Sequence, residues 1–252
     1  MLFALCVTIL AGLCTGLGGI MVLFIKNPNV GLLGISNSFA AGVMLAVSLG
    51  DMLPRSIAGY EAYMPPFMRA VAVFTLVGLG MVCGFLLGRC VPEPDLTQVD
   101  DARVRAMRSG IVTALTIILH NLPEGVLTMF TSYTAAQTSG AFILAVALHN
   151  IPEGLAVAVP IYYATNSKGK GVGLAFASGM AEPLGAILAF ALLRPFFTAA
   201  FLNGVLLFIA GVMCWISIGE LIPAALQNSK PAQAIGGLAM GILIMCIGIS
   251  IL

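Results

Sequence analysis

Charge is scarce in this sequence. Only 8% of the 252 residues are Asp, Glu, Lys or Arg, whereas 60% are hydrophobic and the mean hydropathy is +1.08. A water-soluble domain carries about 25% charged residues, so this chain has too few to cover a surface that faces water. The net charge of +1 also excludes the basic field that nucleic-acid binding requires. The composition therefore predicts an integral membrane protein that is surrounded by the lipid bilayer.

Paired cysteines and a basic leader are also missing. None of the six cysteines forms a C-x-x-C pair, and all lie in or at the ends of apolar runs, where cysteine behaves as a small hydrophobe. Disulfides are therefore not implied. The first apolar run has no basic segment before it and continues to Ile25, which is too long for the core of a signal peptide. We expect it to be a retained first span.

The apolar runs are continuous rather than alternating, which favours helices over strands. A helix needs about 20 apolar residues to cross the hydrocarbon core of a bilayer. We predict an all-α integral membrane protein, with eight transmembrane helices in a single domain over residues 1–252. The predicted spans are 2–25, 31–53, 68–90, 109–131, 138–163, 171–193, 201–226 and 233–251. The longest polar stretch between them runs from Pro92 to Arg108.

Eight spans place both termini on the same side of the membrane. Cytoplasmic loops carry an excess of Lys and Arg. The loops that follow the odd-numbered spans contain eight basic residues, and the loops that follow the even-numbered spans contain three. We therefore expect a multi-pass protein of the cell membrane with both termini outside the cytoplasm.

The second and seventh spans contain a repeated segment. Residues 41–54 align with residues 210–223 through identical Gly, Met, Ser and Pro as well as aliphatic residues. Because five spans separate the copies, they cross the membrane in opposite directions. Spans one to three and six to eight are therefore predicted to be inverted repeats, an arrangement typical of secondary transporters with a site near the midplane.

The only two histidines lie in one hexapeptide that occurs twice, at residues 120–125 and 149–154. Its first and fifth residues, His and Glu, share a helix face, and the Asn between them lies close enough to add its carbonyl oxygen. Its Pro leaves a carbonyl one turn back without a helical donor and should bend the helix, and its Gly allows close helix packing. Since spans four and five are antiparallel, both motif faces can meet at one depth.

Two such helices would supply a set of six candidate metal ligands. They are His120, Asn121, Glu124, His149, Asn150 and Glu153. A mixed nitrogen and oxygen set suits Zn²⁺, Fe²⁺, Mn²⁺ or Co²⁺. The lack of thiolate argues against Cu(I), and the two imidazoles argue against a Ca²⁺ cage. We expect the metal to be bound as cargo, not as a cofactor.

Five carboxylates fall within the predicted spans, with no Lys or Arg clearly at mid-span to neutralise them. They are Asp51, Glu124, Glu153, Glu182 and Glu220. Acids inside a membrane typically mark an ion or proton path, so we expect them to line one cation route. Glu182 lies deep enough to join the central site, whereas Asp51 and Glu220 lie near opposite ends of the route as entry and exit acids. Weaker candidates on this path, more typical of packing, are Met44, Ser48 and Ser217.

Other functions remain open at this point. A proton-coupled carrier of an organic substrate could use His and Glu as relay groups. An intramembrane metalloprotease would require H-E-x-x-H, whereas each helix here has one histidine. A metal-selective channel would use the same ligands as a carrier.

The two hexapeptides resemble those of the ZIP (Zrt/Irt-like) family of divalent metal transporters. The segments at residues 145–158 and 178–185 are similar to the bacterial zinc-uptake (ZupT-like) branch, and the resemblance covers the whole chain in span number and motif order. It implies eight helices in a three-two-three arrangement, a homodimer, and import of zinc and also iron, manganese or cobalt into the cytosol. It further implies a two-metal centre bridged by Glu124 and Glu153.

The resemblance also implies which residues bind the metals. The ligands would be Asn121, Glu124, His149, Asn150, Glu153 and Glu182, with His120 the least certain. Relatives often have a His-rich loop between spans three and four, whereas the stretch from Pro92 to Arg108 contains no His. We therefore expect no metal hand-off by that loop.

Overall fold

The computed structural model describes residues 2–61, 63–90, 101–134, 140–188, 191 and 198–251. These residues form eight successive helical spans and no strand, which confirms the all-α prediction. Seven of the described spans are long and apolar enough to cross a membrane. The remaining one, the fifth, is a helix of 26 residues.

The spans have the following bounds. The first is Leu2–Ile20 with a 3₁₀ turn at Met21–Phe24, the second is Val30–Val47, a π segment at Ser48–Met52 and Leu53–Glu61, and the third is Pro66–Cys90. The fourth is Asp101–Thr134, the fifth is Gly140–Thr165, and the sixth is Lys168–Gly179 with Ala181–Leu188. The seventh is Ala199–Ile216, a π segment at Ser217–Leu221 and Ile222–Asn228, and the eighth is Pro231–Ile251.

Two predicted boundaries are wrong for physical reasons. The fourth span begins at Asp101 instead of residue 109, because its polar first turns still bury Val104 and Ala106 and so form an amphipathic helix. The second span continues past Pro54 to Glu61, because a π segment precedes the proline and accommodates its missing N–H. Residues 92–100 and the end of the predicted sixth span at residue 193 lie outside the described residues.

The second and seventh spans lie side by side in opposite directions. Gly34 at the start of the second span packs against Ser229 just after the seventh, and Gly59 near its other end packs against Asn203. Asp51 and Glu220 therefore lie toward opposite ends of the pair, which we call the Asp51 side and the Glu220 side of the molecule.

Four other contacts form two equivalent pairs. The first span packs on the fifth and the sixth packs on the fourth, while the second packs on the eighth and the third packs on the seventh. If spans one, two and three are exchanged with spans six, seven and eight, and span four with span five, each of these four contacts becomes another of the four. Two copies related by a two-fold axis would produce this pattern, and the inverted repeat stays a prediction that the contacts support.

Glycines bring the first and sixth spans close to the two hexapeptides. A Cβ on Gly18 would overlap the carbonyl of Ile151, and a Cβ on Gly185 would overlap the carbonyl of Leu122. The glycines that end the hexapeptides approach these spans just as closely, Gly125 the sixth span and Gly154 the first. These approaches fix the depth of the motifs relative to the neighbouring helices.

Candidate metal site

The faces of the fourth and fifth spans that carry His and Glu meet in the centre of the molecule. His120 Nε2 lies 3.1 Å from Glu124 Oε2 and 3.5 Å from Glu153 Oε1, and His149 Nε2 contacts Glu124 Oε1. Both helices run unbroken through their prolines, Pro123 and Pro152. The duplicated motif therefore assembles two imidazoles and two carboxylates from separate helices into one cluster.

The cluster is almost completely removed from the surface. The exposed fraction is 4% for His120, 8% for His149 and 1% for Glu153, and the side chain of Glu124 is 12% exposed. A carboxylate at such depth is costly unless it is paired or binds a cation.

The asparagines connect this cluster to the first and sixth spans. Asn150 Nδ2 donates to Glu182 Oε2 at 2.9 Å and to the Ala11 carbonyl at 2.8 Å. Asn121 Nδ2 donates to the Ser178 carbonyl at 3.4 Å. Glu182 is completely buried, and its bond to Asn150 places a third carboxylate next to the fifth-span motif.

Four acceptor oxygens around the cluster are buried and have neither a hydrogen-bond partner nor an ion-pair contact among the described residues. They are Asn121 Oδ1, Asn150 Oδ1, Glu153 Oε2 and Glu182 Oε1. Such atoms are rare in folded proteins, because each loses its bonds to water without replacement. Amide and carboxylate oxygens together with imidazole nitrogens are the donors that first-row divalent metals accept, so the set fits such a cation.

In the described residues, no three His, Cys, Asp or Glu side chains converge on a single point as a finished metal cage. The imidazoles instead contact Glu124 and Glu153 directly. Binding a cation would therefore require these contacts to be exchanged for metal–ligand bonds. A site that must rearrange in this way binds less tightly than a preformed one.

A cleft connects the cluster to the Asp51 side. It passes between the second, seventh and eighth spans and the motif faces of the fourth and fifth. Its lining residues are Val47, Asp51, Met52, Arg55, His120, Glu124, Leu127, Thr128, His149, Leu206, Met245 and Ile249. The central histidines are thus reached from this side of the molecule.

Comparisons with known proteins agree with this architecture. A family model described as ZIP Zinc transporter matches residues 93–249. The chain is 37% identical to the zinc transporter ZupT of Chlorobium luteolum, over 99% of this chain and 97% of the relative. It is 38% identical to the ZupT of Xanthomonas axonopodis pv. citri over 94% and 90% of the two chains, and 37% identical to that of Corynebacterium glutamicum over 99% and 98%.

The chain belongs to the ZIP family. Membership makes it a multi-pass transporter of the cell membrane and not an enzyme.

Two acids of this ZIP protein have basic partners, contrary to the prediction. Asp51 is paired with Arg55 one turn further along its helix, at 2.8 Å. Glu220 accepts from Arg108 at 2.7 Å, and Arg108 also donates to the Gly88 carbonyl at 2.7 Å. The prediction missed the second pair because it placed Arg108 in a loop, whereas the fourth span begins before it.

The weaker path candidates are engaged in local structure. The hydroxyl of Ser48 donates to the Met44 carbonyl at 2.7 Å, and that of Ser217 donates to the Met213 carbonyl at 2.8 Å. Met44 is 1% exposed and packs in the main apolar cluster. The repeated serines thus stabilise the two π segments of this ZIP protein in the same way, one turn before Asp51 and Glu220.

Proposed function

We propose that this protein carries zinc across the cell membrane into the cytosol by binding it at the His/Glu cluster of the fourth and fifth spans. The observation that carries the proposal is the mutual contact of His120, Glu124, His149 and Glu153, of which the first three line a cleft. The named relatives are zinc transporters.

The charges of the cluster favour a doubly charged cargo. Glu124, Glu153 and Glu182 lie together with two imidazoles, and among the described residues no Lys or Arg forms an ion pair with these three acids. A divalent cation offsets carboxylate charge and also satisfies the orphaned oxygens. Because the donors are nitrogen and oxygen, we propose that iron, manganese and cobalt are carried as well.

The predicted topology determines which side of the molecule faces the cytosol. With both termini outside the cytoplasm, the Asp51 side faces outward and the Glu220 side faces the cytosol. The cleft then opens outward, while Arg108 closes the opposite side by joining Glu220 to the Gly88 carbonyl. Transport proceeds by exchanging which side is closed, as in carriers built from inverted repeats, and the homodimer remains a prediction.

Zinc flux into liposomes reconstituted with the purified protein tests this proposal. Glu153→Gln keeps the shape of the side chain but removes its charge, and should lower flux by at least about tenfold, the smallest loss expected when a metal site is altered. Glu61→Gln is the matched control, because Glu61 is an exposed acid paired with Arg69 away from the cluster. Equal flux in Glu153→Gln and wild type would refute the site.

The same liposomes separate metal transport from the proton-coupled organic carrier. Zinc should move without any organic substrate, and chelating the metal should leave no proton movement coupled to the protein. Proton uptake that persists with an organic substrate after chelation would favour the alternative.

A further inference from the structure

Asn37 in the second span is a buried amide without a partner. It is 1% exposed, and neither its Nδ2 nor its Oδ1 forms a hydrogen bond to any described residue. Asn121 and Asn150, by contrast, each donate at least one bond. A side chain with all its polar atoms orphaned in the membrane interior is costly and points to a ligand that it meets at another stage.

The position of Asn37 on its helix shows which way it points. Asn37 lies seven residues before Met44 and eleven before Ser48, so the three share one helix face. The eighth span packs on a different face, where a Cβ on Gly42 would overlap the Leu238 carbonyl. Asn37 therefore points away from the eighth span, along the face that leads to the cleft-lining part of the helix.

The internal repeat gives an independent reason to place Asn37 on the route. When the alignment of residues 41–54 with 210–223 is extended back by four residues, Asn37 matches Leu206. Leu206 lines the cleft on the Asp51 side. Under the exchange of repeats, its counterpart Asn37 occupies the corresponding place on the Glu220 side, where Ile216 and Leu221 are 0% and 1% exposed.

A second orphaned group lies on the same half of the molecule. Thr113 is seven residues before His120 on the fourth span, which puts both on one face with Thr113 two turns nearer the Glu220 side. It is completely buried, and its hydroxyl has no partner among the described residues. Its neighbour Thr116 is also buried, but the Thr116 hydroxyl donates to the Val112 carbonyl at 2.9 Å.

We propose that Asn37 and Thr113 form a second binding position for the transported divalent cation, between the His/Glu cluster and Glu220. This inference rests on the proposed function. The position offers neutral oxygens, which hold a divalent cation more weakly than the carboxylates of the central cluster. A cation that leaves the cluster can bind there without being trapped, since conduction requires sites weak enough to release the ion.

The test compares zinc flux and zinc binding in Asn37→Leu, Thr113→Val and Thr116→Val. Asn37→Leu introduces the residue present at the repeat counterpart, and Thr113→Val removes only a hydroxyl. Each should lower the maximal rate by about fivefold to tenfold, the effect of one lost polar interaction in the rate-limiting passage, while equilibrium zinc binding at the central cluster changes less than about twofold. Thr116→Val is the control and should match wild type.

Thermal unfolding separates this role from a structural one. Removing an orphaned buried amide should leave the unfolding temperature of Asn37→Leu unchanged or higher. A variant with slower flux, normal zinc binding and full stability supports the proposal. Wild-type flux in both Asn37→Leu and Thr113→Val overturns it, as does flux that falls only in step with stability. If Asn37→Leu does not fold, Thr113→Val decides alone. Absence of zinc flux in wild type would instead refute the proposed function.

Discussion

Arg108 of the fourth span donates to the Glu220 carboxylate of the seventh at 2.7 Å. The same guanidinium donates to the Gly88 carbonyl near the end of the third span. One side chain thereby joins three spans on the Glu220 side, while the cleft lies on the Asp51 side. The pair therefore links the fourth span to the third and seventh spans on the Glu220 side.

We predict that Arg108→Gln loosens the Glu220 side. Both partners are about a quarter exposed, so the interaction should contribute about 1–2 kcal/mol, a factor of about 5 to 30 in the opening equilibrium. Amide hydrogen exchange of the peptide 217–228, measured in nanodiscs, should accelerate by that factor.

The control for this experiment is Arg55→Gln, which breaks the pair with Asp51 on the other side. Its guanidinium is 40% exposed and pairs within one helical turn, so the loss should be only a few tenths of a kcal/mol, about twofold in exchange. Equal exchange in Arg108→Gln and wild type would show that the Glu220 pair does not hold that side closed.

We predict that alanine at Gly18 or Gly185 destabilises the protein strongly. The added methyl would overlap the Ile151 or Leu122 carbonyl, and the backbone cannot yield as a flexible side chain would. Overpacking of this kind costs about 1–3 kcal/mol or more. Both variants should unfold at clearly lower temperature in detergent and bind zinc more weakly, because the motif helices are displaced.

Gly173→Ala provides the matched control within the sixth span. No atom lies within 4 Å of a Cβ at Gly173, so alanine there should be neutral or stabilise the helix by about 0.5–1 kcal/mol. If Gly18→Ala and Gly173→Ala unfold at the same temperature, the close approach of the first and fifth spans does not exist in the folded protein.

We predict that Ser48→Ala affects stability more than transport. The Ser48 hydroxyl is bonded to the Met44 carbonyl within its own helix, and that carbonyl also accepts from the Ser48 backbone N–H, so loss of the hydroxyl should cost about 0.5–1.5 kcal/mol. Zinc flux per folded molecule should stay within about twofold of wild type. A large loss of flux with unchanged thermal stability would instead place Ser48 among the groups that contact the cation.

The helix order and the histidine cluster could be predicted because their signals are local or duplicated. Apolar runs of about 20 residues mark spans wherever they occur. The hexapeptide at 120–125 and its copy at 149–154 place similar side chains on adjacent antiparallel helices. The two motifs are therefore expected to lie close together.

The contacts that the sequence did not reveal join residues far apart along the chain. Arg108 reaches Glu220 across 112 positions, and Asn150 reaches Ala11 across 139. No local pattern encodes such a pair. The start of the fourth span was also missed, because the charged turn that precedes residue 109 resembles a loop until the burial of Val104 and Ala106 is known.

Anomalous scattering from zinc-soaked crystals tests the central claim most directly. We predict a zinc peak bounded by His120, Glu124, His149 and Glu153, with Glu182 and Asn150 beside it, and loss of that peak in Glu153→Gln. A crystal that shows the two imidazole rings apart and facing lipid, or zinc peaks only elsewhere, would contradict it.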